Sequence, residues 1–588
     1  MGSNREVTRL FEQMAAGLEI LGANRFRVNA YARAGRVVGD LTPDLRALVE
    51  EDLATAVKRL TELEGIGKGM AEKIVEYIET GEMTEHKELL TKVPVTLFDV
   101  LEIPGVGPKA AKAMFEELNI ASLDDLENTP DDVLAGLPRM GKKTVANIRK
   151  AIEFNKKAGD RIPIGQARPL ALELQRQLRD VAGVSRAEYA GSLRRGRETI
   201  GDLDFLVSCA DDEAVREAFC EHPWVTQVLA RGDTKCSVRL ERDGVAIQAD
   251  LRLVPESVYG AALMYFTGSK EHNVRLRELA IRQDKRLNEY GLFAGTDERP
   301  QDAGAEPLAA GTEEAIYAEL GLPWVAPELR EDRGEFDLVS NGAPHLLELD
   351  DIRAELHAHT TASDGRQSIV ELAEEAKRRG FHTIAVTDHS KSSVIANGLD
   401  EDRLRRHIEA IREADAQVDG IRILAGSEVD ILVDGSLDYD DDLLAELDIV
   451  VASPHVGLNQ SPQLATTRLL RAIRHPLVHI LGHPTGRIIN KREGLSPDMD
   501  ALIEAAVETD TALELNANWH RLDLRDSHLR QALKAGCKIA IDTDAHRALH
   551  FDFLVYGVLT ARRAGLSPES CINAWGADRL HAWLASKR

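Results

Sequence analysis

Residues 351–588 repeat one unit: a short apolar run, a side chain able to bind a metal at its end, then a helical stretch. The run 352–356 is followed by His357 and His359, with Asp364 close by; 383–386 by Asp388 and His389; 422–425 by Glu428. The beat continues with 449–452 before His455, 478–481 before His483, 512–515 before Asn516, and 538–541 before Asp544 and His546. Apolar strands alternating with helices predict a parallel sheet, and ligands at strand C-termini predict a parallel α/β barrel with its reactive face at that end. A lone histidine past a strand is ordinarily structural. A series of them at successive strand ends converges on one place. Nitrogen and oxygen donors without thiols suit Mn²⁺, Zn²⁺ or Fe²⁺, and so many imply two or three ions. Such a centre activates a bound water and clamps a phosphate, which is phosphoester hydrolysis.

A second constraint lies upstream. The strand-like run 203–208 follows Gly201 and starts beside Asp202 and Asp204. Residues two apart on a strand share a face, so these carboxylates repel unless a cation sits between them. Mg²⁺ above all, or Mn²⁺, binds both carboxylates and phosphate oxygens. Just before them, Gly191-Ser192-Leu193-Arg194-Arg195-Gly196 can turn so that N–H groups and a hydroxyl face a phosphate, with Arg197 adding charge. Asp250, ending the run 245–251, offers a third carboxylate. Three carboxylates, two ions and a triphosphate pocket describe nucleotidyl transfer. A lone Asp-x-Asp is most often a solvated hairpin; the turn upstream and the acid-ended strand downstream set this one apart.

The first 160 residues are helical in pattern, with Val7, Leu10, Phe11, Met14, Leu18 and Leu21 at helical spacing. Within them Gly65-Ile66-Gly67 recurs forty residues on as Gly105-Val106-Gly107, each between helical stretches. A weaker third copy lies at 134–143. Such turns leave N–H groups at a helix start, a seat for phosphate that grips a DNA backbone without reading sequence. The pattern Gly105-x-Gly107-x-x-Ala110 also fits a loose dinucleotide fingerprint, but no βαβ pattern surrounds it. Lys73, among other cations on such a face, can act as a Schiff-base nucleophile; an Ala-Glu-Lys on a helix is otherwise a surface lysine.

After Pro163 a helix over 168–181 and strands over 203–208, 226–230, 236–240 and 245–251 are expected. Tyr265 and Phe266, read as a flat aromatic pair beside Gly268, suit a sugar and base lying against the backbone. Asn273 follows and leads into an expected basic helix holding Arg275, Arg277, Arg282, Lys285 and Arg286. Residues 301–350, rich in Ala, Gly, Pro and acid, read as a linker with one short helix.

The net charge of −25 argues at first against nucleic acid. Its distribution weakens the objection: residues 1–300 carry 43 Lys and Arg against 49 Asp and Glu, and 301–350 carry 2 against 12. Five cysteines without a C-x-x-C indicate neither a disulfide framework nor a zinc ribbon. No apolar run approaches a membrane span and the N-terminus lacks signal-peptide regions, so a soluble cytoplasmic protein is expected, with a monomer as the default.

Residues 1–330 resemble a family X DNA polymerase, the group of DNA polymerase beta. The resemblance rests on Phe26-Arg27-Val28-x-Ala30-Tyr31, both glycine turns, GSLRRG, GDLDF, Gly232-Asp233-Thr234-Lys235, YFTGS and Asn288-Glu289-Tyr290. It implies that Asp202, Asp204 and Asp250 hold two catalytic metals, and that Gly191, Ser192, Arg195 and Gly201 meet the triphosphate. Tyr265, Phe266, Gly268 and Asn273 would hold the sugar and base of a dNTP, and Arg277 and Tyr290 the template side. Gly65, Gly67, Gly105 and Gly107 would touch gapped or primer–template DNA. Lys73 falls at the family's deoxyribose-phosphate lyase position, although Phe26 replaces a histidine and Gly69 a second lysine.

Residues 351–588 resemble a PHP (polymerase and histidinol phosphatase) domain. Its metal positions fall on His357, His359, Asp364, His389, Glu428, His455, His483, Asp544 and His546, implying Mn²⁺-dependent 3′-5′ exonuclease, AP endonuclease and 3′-end cleaning. Arg487, just past His483, is a candidate phosphate ligand. The expected fold is multidomain α+β and α/β. It comprises helical DNA-binding domains over 1–95 and 96–160, a nucleotidyltransferase palm with a mixed sheet over 161–260, and a nucleotide- and template-binding subdomain over 261–325. A linker over 326–350 and a distorted (β/α)7 barrel over 351–588 complete it. The expected function is short-gap filling in base excision repair with an attached nuclease. The rival is a nuclease whose front half only binds DNA, and a non-enzymatic DNA-end scaffold is the third reading.

Overall fold

Alternation of short apolar runs with amphipathic helices governs most of the chain, and the glycine turns govern its beginning. The computed structural model describes residues 3–587 except 41–44, 51–52, 64, 102, 104–105, 139, 143, 147, 150–151, 153–160, 296–299 and 343–344. The chain divides into two units, Met1–Asp160 and Arg161–Arg588. No helix among the described residues is long and apolar enough to cross a membrane.

The first unit is helical throughout its described residues. Val7, Leu10, Phe11, Met14 and Leu18 line the buried face of the helix Ser3–Ile20, as their spacing predicts. Leu21 lies past the helix end and is exposed. Each glycine turn ends in a new helix: Gly67 caps Lys68–Thr80 and Gly107 caps Pro108–Leu118, with Pro108 at the first-turn position where it loses no hydrogen bond. Arg139 and Lys143 of the weaker third copy, like Gly105, lie outside the described residues.

The second unit begins with a two-stranded ribbon, β1 (Ile162–Pro163) against β3 (Thr199–Ile200). Its palm sheet contains β2 (Val184–Tyr189), β4 (Asp202–Cys209), β5 (Val225–Arg231), β6 (Lys235–Arg242) and β7 (Val245–Leu253) in the order β2-β4-β7-β6-β5. Only β4 and β7 run parallel, so the sheet is mixed. The helix Ile164–Arg179 packs Ala167, Leu170, Ala171 and Leu174 on it. The basic helix ends at Ile281, so Lys285 and Arg286 lie not on it but on β8 (Lys285–Asn288), which forms a hairpin with β9 (Gly291–Ala294).

Residues 326–350 are not a linker. They hold the turn Pro327–Leu329 and the helix Glu335–Ser340, with Leu329, Arg330 and Glu335 almost wholly buried. Arg330 forks onto Glu313 (2.6 and 3.1 Å), and Glu335 accepts from the Asp332 and Arg333 amides and pairs with buried His272 (2.7 Å). Glu328 pairs with Arg562 (2.8 Å) and Glu331 with Arg563 (2.9 Å), so the acids that made this stretch look solvated have partners in the folded chain, the condition on which buried charge persists.

The remaining strands are β10 (Ala354–Ala358), β11 (Thr383–Val386), β12 (Arg422–Asp430), β13 (Ile449–Ser453), β14 (Ile480–Leu481), β15 (Ala512–Asn516) and β16 (Ile539–Asp542). They pair in parallel in sequence order. The first and last approach through His359 N–H to the Ala545 carbonyl (2.8 Å) and Ala545 N–H to the His357 carbonyl (3.2 Å), which nearly closes the barrel. Helices outside each strand bury the apolar faces of both. The palm core continues into this domain through Ile489, Leu522 and Tyr556, and Gly165 leaves just the room that the Trp519 ring occupies.

Candidate active sites

Parallel pairing of β4 with β7 puts Asp204 opposite Asp250 and Asp202 opposite Gln248, so the three carboxylates gather at one end of two neighbouring strands. Burial, then Asp202 and Asp250, push the Asp204 carboxyl up to about 7. Asp202 is raised too, by partial desolvation and by Asp250. Lys235 Nζ lies 2.6 Å from Asp250 Oδ2, and the Gln248 amide donates to Oδ1 (3.1 Å). Asp202 and Asp204, both raised in proton affinity, thus stand beside Asp250 with their carboxylates crowded together. That is the donor set a divalent cation satisfies.

The turn at 191–197 stands beside them. Ala190 N–H donates to the Asp204 carbonyl (2.8 Å), and Gly191, at φ +60°, lies directly against the Asp204 side chain. Ser192 Oγ is buried without a hydrogen-bond partner, an arrangement that costs free energy unless a ligand completes it. Arg195 is largely buried, its Nε on Glu331 (3.0 Å) and its Nη1 on the Thr267 carbonyl (2.5 Å). Arg194 instead pairs with Glu313. Gly201 is exposed beside Asp202, its Cα facing the Arg161 guanidinium.

Tyr265 and Phe266 end the helix Tyr259–Thr267 and meet edge to face (5.1 Å, 80°) rather than as a flat pair. Gly268, at φ +72°, terminates that helix within contact of Arg195, where a residue with a β-carbon would be strained. Asn273 donates from Nδ2 to the Tyr265 carbonyl (2.7 Å), and Arg277 Nε to the Asn273 carbonyl (3.2 Å), so these residues form one chain of contacts. Tyr290 is exposed at the β8–β9 turn.

In the barrel, His357 lies on β10 and His359 just past it, two apart on one face; Glu428 lies inside β12, which runs further than its apolar run suggested. Three overlapping groups can each hold an ion: His359, Asp364, His389 and His546; His357, His359 and Asp544; His389, Glu428 and His455. Glu428 is the hub, with His389 Nδ1 at 2.8 Å, His483 Nε2 at 2.9 Å, His455 Nε2 at 3.2 Å and His357 Nε2 at 3.3 Å. Burial alone would raise Glu428, but His455, His357 and His389 hold it well below the carboxylate range. Buried without a hydrogen bond are His357 Nε2, both His359 nitrogens, His389 Nδ1, His483 Nδ1, Glu428 Oε2 and Asp544 Oδ1. Lone pairs crowded together yet misaligned for hydrogen bonding fit metal ions. Asp544 (φ +52°) and His483 (φ +22°) adopt strained backbone angles of the kind found at functional sites.

Sequence reasoning missed the residues that orient these donors. Glu514 Oε1 binds His357 Nδ1 (2.7 Å), and Asp430 Oδ1 binds His455 Nδ1 (2.6 Å), each fixing the ring nitrogen that faces the cluster. Both follow the strand period, at positions whose burial no local signal marks. Asp388 and Asn516 are not among the grouped donors. Asp388 accepts from Thr360, Ser363 and His407 and ties down the loop between His359 and Asp364; Asn516 donates to Asp544 (3.3 Å). Arg487 is no phosphate ligand here: buried, it donates to Glu198 (2.6 Å) and the Leu522 carbonyl, tying the barrel to the palm.

In the first unit, a β-carbon at Gly67 or Gly107 would meet nothing within 4 Å, and neither helix start has a side-chain cap. Gly65, at φ +101°, packs on Val37 and Arg33. Lys73 Nζ lies 3.0 Å from Glu85, which Arg27 also engages, so its nearest charged partner is an anion.

Family models match DNA polymerase beta thumb over residues 262–331, a helix-hairpin-helix domain over 2–83, a SAM-like helix-hairpin-helix tandem over 98–153 and a PHP domain over 355–518. The chain is 39% identical over 581 residues to the DNA polymerase/3′-5′ exonuclease PolX of Bacillus subtilis (strain 168), covering 99% of each. It is 28% identical over 352 residues to DNA polymerase lambda of Arabidopsis thaliana, covering 56% of this chain and 62% of that one. It is 30% identical over 229 residues to a probable phosphatase of Syntrophotalea carbinolica, covering 37% of this chain and 90% of that one.

Proposed function

The chain belongs to the family X DNA polymerases that carry a PHP domain, and from that membership we propose that it extends DNA 3′ ends in its palm and trims them in its barrel. Its setting is the filling of short gaps in base excision repair, in the cytoplasm and as a monomer. Its partners are gapped or primer–template DNA and dNTPs. The observation that carries the reading is the gathering of Asp202, Asp204 and Asp250 beside the Ser192 turn, in one unit with the crowded barrel donors.

Asp202, Asp204 and Asp250 would hold two Mg²⁺ or Mn²⁺ ions. The barrel residues His357, His359, Asp364, His389, Glu428, His455, His483, Asp544 and His546 would hold two or three Mn²⁺ or Zn²⁺ ions. When bound, such ions activate a hydroxyl or water and offset phosphate charge. Gly191 and Ser192 offer the triphosphate a backbone N–H and a free hydroxyl, and Arg195 offers its remaining N–H groups. The Tyr265–Asn273 segment seats the sugar and base, while Arg277 and exposed Tyr290 face the template. Asp250, its Oδ1 held by Gln248, keeps Oδ2 for the primer hydroxyl once Lys235 gives way. In the barrel, Glu514 and Asp430 hold the Nδ1 side of His357 and His455, which fixes each ring with Nε2 turned toward the cluster. Bare helix starts at Gly67 and Gly107 receive backbone phosphates. A lyase role for Lys73 requires its Glu85 pair to open, so the assignment rests on the polymerase and nuclease sites.

The test uses a 5′-labelled primer bordering a one-nucleotide gap, with Mn²⁺ or Mg²⁺, with and without dNTPs. Growth with dNTPs and shortening without them is expected. Asp250→Ala should lose only growth and His359→Ala only shortening. A wild-type chain that only ever shortens the primer is a nuclease with a DNA-binding front half.

A further inference from the structure

The turn at 191–197 is held from outside the palm. Arg563, on the barrel helix Leu554–Ala564, donates from Nη1 to the Arg195 carbonyl (2.7 Å) and to Glu331 Oε1 (2.9 Å). Its Nε and Nη2 both reach Asp526 Oδ2 at 2.9 Å. Glu331 in turn accepts from Arg195 Nε (3.0 Å) and Arg197 Nη1 (3.4 Å). The side chains of Arg563 and Glu331 are 5% and 8% exposed, so this is a desolvated network rather than a surface pair. The same helix packs beneath the turn, where a β-carbon on Gly196 would stand 3.2 Å from Leu559 Cβ.

Arg195 has five N–H donors in a rigid fork. Glu331 takes the Nε–H and Thr267 one Nη1–H, which fixes the plane and leaves three donors for an anion. Glu331 without Arg563 would hold Arg195 as its principal counter-charge and draw the guanidinium toward itself. With Arg563 present, Glu331 is already balanced, and the Arg195 backbone is pinned by a second bond. We propose that Arg563, a residue of the PHP domain, is a positioning residue of the polymerase site that aims Arg195 at the incoming nucleoside triphosphate. The nuclease domain thereby supports the proposed nucleotide pocket from behind its turn. This rests on the reading that Arg195 meets the triphosphate.

The experiment is single-nucleotide insertion on gapped DNA by the full chain, measuring KM for dNTP and kcat separately, for Arg563→Met, Arg563→Lys and Arg195→Ala alone and combined. Melting curves and exonuclease rates are taken on the same preparations. Arg563→Met should raise KM about tenfold with kcat within about threefold and the exonuclease rate unchanged. Arg563→Lys, which keeps the charge but not the fork, should recover part of the loss. Combined with Arg195→Ala, either substitution should add little, because both act on one contact. An unchanged KM in both Arg563 variants, or an effect that persists undiminished on top of Arg195→Ala, overturns the positioning role. Should Arg563→Met fail to fold, Arg563→Lys and its combination with Arg195→Ala decide alone. Arg195→Ala with an unaltered KM would instead sink the underlying assignment of Arg195.

Discussion

Gly191 lies so close to Asp204 that a β-carbon there would collide with the Asp204 carboxylate oxygen Oδ2. Its φ of +60° adds strain for any other residue. Gly191→Ala should therefore displace a carboxylate from the polymerase centre and lower primer extension by about 100-fold or more. The barrel does not depend on that contact, so exonuclease activity on the same DNA should hold. Extension within threefold of wild type would show that Asp204 can move without consequence.

His359 belongs to two of the three donor groups in the barrel. His359→Ala should cost at least one ion per chain after loading with Mn²⁺ and desalting, as read by elemental analysis. Exonuclease activity should fall by two orders of magnitude or more, in line with the roughly 10²-fold cost of misplacing a reactive centre, while gap filling persists. Full metal retention would mean the ions sit elsewhere in the cluster.

Glu331 gives a pH signature. Burial pushes its carboxyl up, but Arg563, Arg195 and Arg197 bring it down to about 2. A carboxylate depressed in the folded state contributes stability that is present above its unfolded pKa of about 4.3 and is lost as pH falls through the folded value. The contribution is on the order of 3 kcal/mol at neutral pH. Glu331→Gln should melt earlier than wild type at pH 7, and the gap between the two should close between pH 5 and 2. A gap that stays constant over that range would exclude the ion pairs as its source.

At Gly107 the backbone is in an ordinary extended region and the space around it is open. Gly107→Val should leave melting unchanged within about 1 °C, since exposed substitutions away from special features cost little. It would nonetheless fill the place proposed for a backbone phosphate at the helix start, and DNA affinity measured by anisotropy should fall about tenfold, near 1.4 kcal/mol. Unaltered affinity would remove that helix start from the DNA interface.

What could be read from the residues in order was whatever local period or spacing encodes. The barrel donors stood out because they follow apolar runs at strand ends, and Asp202 with Asp204 because they share a strand face. What needs a distant partner stayed hidden. Glu514 and Asp430 look like any acid on a strand until His357 and His455 arrive beside them. Arg487 sits four residues after His483, yet its side chain turns toward Glu198, which sequence distance does not specify. Residues 326–350 have a linker's composition because Glu328, Glu331 and Glu335 answer Arg562, Arg563 and His272, and pairing across a fold leaves no local mark. The clamp on Arg195 spans 368 positions of chain and was invisible for the same reason.

The near-closure of β10 against β16 has a consequence for synthesis. His357 and His359 are translated almost 200 codons before Asp544 and His546, and the cluster is incomplete until both ends of the barrel meet. Arg563 leaves the ribosome later still. A nascent chain therefore acquires its helix-hairpin-helix unit first and its complete donor cluster last, so a chain cut short in translation carries the first without the second.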